Sequence, residues 1–189
     1  MMHQLSPITD RSADVLLEAN AVLVGHSLCS ILYRLVGESA PMDRWTPAIH
    51  EVDLDVSLGT QAGALTISWA RDSLLEGLAF TMTSPQDDAS ATGPWLSVNR
   101  TERWRAFVQA PIATVAFGWQ VSGERCPASV WSMRLTNADK QNVVLALGEV
   151  DERGGPTYHP DSIVVIFDEE AAHEYVTQAS IGSAWGGAL

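Results

Sequence analysis

Glu51-Val52-Asp53-Leu54-Asp55-Val56-Ser57-Leu58 alternates polar and aliphatic side chains over eight residues. Successive side chains of a strand point to opposite faces. Val52, Leu54, Val56 and Leu58 therefore predict the buried side of a half-buried antiparallel strand over 52–58. Gly59-Thr60-Gln61-Ala62-Gly63 has turn chemistry, and Leu65, Ile67 and Trp69 resume the alternation, which makes a hairpin. With the turn at Gly59–Ala64, Asp55 falls opposite Ser68, Asp53 opposite Ala70 and Ser57 opposite Thr66. Glu51, Asp53 and Asp55 then share the wet face, and the hairpin holds no Arg or Lys placed to neutralise them.

Moving outward, a third strand is expected near 78–82, then a polar surface loop from Ser84 to Pro94. Arg100 to Ala110 reads as a short amphipathic helix. Val115, Phe117, Trp119 and Val121 alternate, as do Trp131, Met133 and Leu135. A turn at 137–141 leads into Val143–Leu147. Ile163-Val164-Val165-Ile166-Phe167 is an unbroken apolar run, the pattern of a strand buried on both faces. Ser12 as N-cap and the spacing of Val15, Leu16, Ala19, Val22 and Leu23 predict a first helix from about residue 13. Residues 26–36 fit a helix or a strand equally. Asp168-Glu169-Glu170 opens a last helix, with Ala172, Tyr175, Val176 and Ala179 facing the sheet.

The fold expected from these elements is α+β: a largely antiparallel sheet with N- and C-terminal helices packed on one face. Residues 1–179 form a single domain in this reading, and the Gly- and Ser-rich stretch 180–189 is a flexible tail. Residues 52–82 and 130–167 share a strand–turn–strand–loop–strand pattern, which allows an internal pseudo-repeat.

The chain of 189 residues carries 23 Asp and Glu against 11 Lys and Arg, a net charge of −12. Such a charge repels nucleic-acid phosphates and anionic lipid, and attracts basic proteins. The cluster Arg100, Arg103 and Arg105 with Trp104 and Phe107 is the one basic spot, and it reads as a helix face paired with acids such as Glu102. Cys29 and Cys126 form neither a disulfide framework nor a zinc motif. With no signal-peptide pattern and no apolar run of membrane length, a cytoplasmic protein with reduced thiols is expected.

Gly25-His26-Ser27-Leu28-Cys29 resembles the G-x-S-x-G nucleophile elbow of α/β-hydrolases, with Ala21–Val24 as the strand before it and Ser30–Val36 as the helix after it. That resemblance implies Ser27 as nucleophile with Asp168 and His173 as partners. Cys29 replaces the final glycine, and the surrounding meander is antiparallel. For metal binding, His50-Glu51 beside Asp53 and Asp55, His159-Pro160-Asp161 and His173-Glu174 are the candidate ligands; none has zincin or Cys/His-quartet spacing. No phosphate-binding glycine loop occurs, so no cofactor is expected.

The expected function is a non-catalytic protein-binding module whose acidic face docks a basic protein, as an immunity or antitoxin protein docks a toxin. Glu51, Asp53, Asp55, Glu149, Asp151 and Glu152 are the expected contact residues. A small hydrolase using Ser27, or a convergent His/carboxylate site, is the alternative.

Overall fold

The structure is a computed structural model that describes residues 5–36, 45–84 and 95–187. The expected loop at 84–94 lies almost wholly outside the described residues. In chain order the elements begin α1 (Ala13–Leu23), β1 (Ser30–Arg34), β2 (Ile49–Val52), β3 (Asp55–Thr60), β4 (Gly63–Asp72), β5 (Leu75–Thr83) and β6 (Trp95–Ser97). There follow α2 (Glu102–Phe107), β7 (Ile112–Gln120), β8 (Ser129–Asn137) and β9 (Asn142–Leu147). The chain ends with β10 (Glu149–Val150), β11 (Pro156–Thr157), β12 (Ile163–Ile166) and α3 (Glu169–Glu174).

Ten of these strands make two five-stranded antiparallel sheets, ordered β5-β4-β3-β1-β6 and β2-β12-β9-β8-β7; β10 and β11 form a separate small hairpin. The fold is therefore mostly β, with 44 % strand and 14 % helix, and not a single sheet roofed by terminal helices. The physical reason lies in the inner rows. In the first sheet Tyr33, Val56, Ile67 and Phe80 stand side by side across four strands, and Ile31, Leu58 and Leu65 form the next row. In the second, His50, Val165, Leu145, Met133 and Phe117 make the matching row. Phe80 meets Phe117 and Tyr33 meets His50 across the gap. Each fully buried aliphatic side chain contributes about 1.5–3 kcal/mol, and only another sheet offers an apolar face this wide.

The helices are too small to do that work. α1 starts at Ala13 as expected, but it leans on β4, β5 and β7 and leaves Leu17 66 % exposed. α3 is six residues long and touches β9 and β12 of the other sheet. Asp168 is its N-cap, accepting the Ala171 N–H at 2.9 Å. It ends at Glu174, so Val176 lies 61 % exposed instead of facing the sheet. β12 is buried on both faces, as its composition predicts. After α3, the backbone N–H groups of Ile181, Ala184 and Trp185 donate to the carbonyls of Trp119, Tyr175 and Ala172. The stretch expected to be a loose tail is thus tied to β7 and α3 over its described part.

Along one side the two sheets are stitched together by the chain's start. Ile8 donates to Leu78 of β5 and accepts from Val130 of β8, each at 2.8 Å. The backbones come close here because β5 carries Gly77, where an added Cβ would stand 2.9 Å from the Val130 carbonyl oxygen. No helix among the described residues is long and apolar enough to cross a membrane.

Candidate functional site

The acidic stretch that predicts one strand is shared between the two sheets. β2 ends at Val52 and pairs with β12; β3 begins at Asp55 and pairs with β1 and β4. Asp53 and Leu54 are the crossing between them, held where Leu54 N–H donates to the Arg34 carbonyl and the Trp69 indole N–H to the Asp53 carbonyl. Glu51, Asp53 and Asp55 consequently share no common face. The hairpin register beyond the crossing is the expected one, with Asp55 opposite Ser68 and Ser57 opposite Thr66.

The three acids meet different fates. Asp55 is 3 % exposed, ion-paired with Arg34 and hydrogen-bonded by the Ser68 hydroxyl. Its charge is neutralised by a strand that the hairpin pattern does not include. Glu51 is buried, and its Oε2 accepts the Val150 N–H at 2.9 Å, anchoring the β10–β11 hairpin to β2. Asp53 is half-buried and accepts the Val36 N–H at 2.9 Å. An exposed, unpaired acidic row along 51–55 is thus corrected: burial is favoured because each carboxylate finds donors that offset its lost hydration.

Glu149, Asp151 and Glu152 lie on the β10–β11 hairpin. Asp151 and Glu152 are exposed and Glu149 is half-buried. Asp151 Oδ1 accepts the N–H groups of Gly155 and Arg153 at 2.9 and 2.8 Å. Those donors, Gly155 foremost, hold its carboxyl below the usual carboxylate range, so it stays charged.

Tertiary pairing assembles a site that the strand pattern does not show. Because β12 lies beside β2, the segment before β12 and the hairpin after β9 converge on the sheet crossing. A cleft of about 330 Å³ results, lined by Glu51, Asp53, Glu149 and Asp161 together with Trp69 and His159, and, among the described residues, by no Lys or Arg. His159 Nδ1 lies 2.9 Å from Asp161 Oδ1. Ser162 also borders the cleft, but its hydroxyl donates to the Gly148 carbonyl at 2.9 Å and not to the imidazole, so the trio is not wired as a nucleophile and its base. Trp69 and Asp161 were not expected here, since no local spacing links them to Glu51.

The nucleophile elbow is overturned by local structure. Ala21–Leu23 closes a helix and Ser30–Arg34 is a strand, the reverse of the strand–turn–helix that aims a nucleophile. Ser27 sits exposed in the connection. Asp168 is spent as the α3 cap, while His173 stacks on Trp185 with ring centroids 4.2 Å apart.

His50 is the most buried histidine of the three candidate metal-binding groups. It is 5 % exposed, stacked on Trp45 and edge-on to Phe167. Trp104 Nε1 donates to the Tyr33 hydroxyl at 2.6 Å, and that hydroxyl lies 3.2 Å from His50 Nδ1. Burial lowers the His50 pKa to about 4 and keeps the ring neutral. Among the described residues no group of three or more His, Cys, Asp and Glu is placed to hold a metal ion. Arg103 of the basic helix donates to the Pro47 carbonyl at 2.8 Å, and Arg100 and Arg105 are exposed.

Comparisons with family models, with curated proteins and with solved structures return no match to this chain.

Proposed function

We propose that the protein is a non-catalytic binding module that docks a basic protein partner through the acidic cleft and the β10–β11 hairpin beside it. The supporting observation is the convergence of Glu51, Asp53, Glu149 and Asp161 on one cleft that has an indole in its wall and, among the described residues, no Lys or Arg. The cleft matches a Lys or Arg side chain in size and charge, and Trp69 offers a π face to a cation. Glu51 and Asp53 already accept backbone N–H groups, so Glu149 and Asp161 are the docking carboxylates. Asp151 and Glu152, out on the turn, lend long-range attraction.

This reading keeps the acidic docking surface but moves it off Asp55, whose charge is matched internally. A cytoplasmic immunity or antitoxin protein that masks a basic toxin is its concrete form. Cys29 and Cys126 are unpaired, which agrees with a reducing compartment.

The test is kinetic. A partner captured from host extract is identified, purified and mixed in stopped flow with the wild type and with Glu149→Lys/Asp161→Lys. Steered encounters exceed neutral ones by tenfold or more, so the double reversal slows association by about that factor and flattens its salt dependence. A partner that is not basic, or an on-rate and salt slope untouched by the reversal, ends the proposal.

A further inference from the structure

A larger cleft lies elsewhere, between the start of β5, β11 and the segment following α3. It measures about 710 Å³, within the range of small-molecule sites. Its walls are mixed. Pro156, Ala171 and Val176 supply apolar surface, Glu76 and Glu174 supply carboxylates, and no Lys or Arg among the described residues lines it.

The chemistry centres on Glu76. Its Oε2 accepts the Tyr158 hydroxyl hydrogen at 2.7 Å. Burial, first, and then this carboxylate push the Tyr158 phenol well above its ordinary range, so the phenol remains a donor at neutral pH. Glu76 Oε1 has only a loose counter-ion: Arg71 Nε stands 3.5 Å away, more than half exposed, and gives its hydrogen to the Ser73 carbonyl at 3.1 Å. Behind Glu76 lies Gln120, fully buried. Its Nε2 donates to the Glu76 carbonyl, and its Oε1 has no hydrogen-bond partner among the described residues. Among the described residues Glu76 Oε1 is thus a cleft-lining acceptor without a close hydrogen-bond donor.

We infer that this cleft is a binding site for a small organic ammonium. The cationic head pairs with Glu76 Oε1, supported by Glu174, and the hydrocarbon body lies against Pro156, Ala171 and Val176. A carboxylate or phosphate would be repelled by both glutamates, and a neutral alcohol offers one donor without the charge. The site is separate from the acidic cleft and does not depend on the docking proposal.

Titration of the ¹⁵N-labelled protein with 2-phenylethylamine, 2-phenylethanol and 3-phenylpropionate tests this. The amine produces saturable shifts at Gly155, Thr157 and Thr177. The alcohol binds at least tenfold more weakly, as loss of a charge-assisted hydrogen bond requires, and the acid leaves these amides unmoved. Glu76→Gln weakens the amine tenfold or more, Glu174→Gln weakens it severalfold, and Arg71→Ala strengthens it by removing the competing cation. Should Glu76→Gln lose its native spectrum, the exposed Glu174 and Arg71 variants carry the test. Equal binding of amine and alcohol, no saturable shift at millimolar amine, or an Arg71→Ala variant that binds more weakly overturns the inference.

Discussion

Arg34 and Asp55 stand directly opposite each other on β1 and β3 and form an ion pair whose carboxylate is almost wholly buried. Ser68, opposite Asp55 on the other side, completes the carboxylate's shell. Removing one charge strands the other. Asp55→Asn is expected to cost about 1–3 kcal/mol; the lower part of that range reflects the one-third exposure of Arg34, which lets water recover some of the loss. Urea unfolding of Asp55→Asn and of Arg34→Met/Asp55→Leu measures it, with the double variant recovering much of the lost stability.

His50 makes the fold acid-sensitive. Its pKa falls from 6.5 to about 4 because the folded ring is desolvated. A ring held below its unfolded value contributes its full stability above pH 6.5, and that contribution drains as pH falls from 6.5 to about 4. At about 1.4 kcal/mol per pKa unit the loss is roughly 3 kcal/mol. Chemical denaturation at pH 7.0, 5.5 and 4.0 reads the slope, which should flatten in His50→Phe.

Gly77→Ala tests the seam between the sheets. Its Cβ would meet the Val130 carbonyl oxygen at 2.9 Å and Pro7 Cβ at 3.0 Å, and the backbone oxygen cannot swing aside. A loss of about 1–3 kcal/mol is expected, the usual cost of overpacking, seen as a lower melting temperature and faster amide exchange at Ile8 and Val130.

Ser27→Ala should change neither stability nor reactivity. Ser27 is exposed on a helix-to-strand connection, and surface replacements of this kind stay within about 0.5 kcal/mol. Wild type and variant should both remain unlabelled by a fluorophosphonate probe. Labelling that disappears in the variant would restore a hydrolase reading.

Local chemistry was legible wherever it acts between neighbours in the chain. Turn residues at 61–62 set the β3–β4 register, β-branched composition marks β12 as buried on both faces, and the acids at 168–170 open α3. A single-sheet α+β reading fails because periodicity reports that a face is buried, not what covers it. The same limit hides the acidic cleft. Glu51, Val52, Asp53, Leu54 and Asp55 alternate without interruption, yet the chain changes sheets at Asp53. That exchange is decided by β1 pairing on β3 and β12 on β2, across long stretches of sequence. Net charge and the identity of each acid belong to the sequence alone. Whether an acid faces Arg34, a backbone N–H or an open cleft beside Trp69 depends on which distant strands share its hydrogen bonds, and only the assembled sheets determine that.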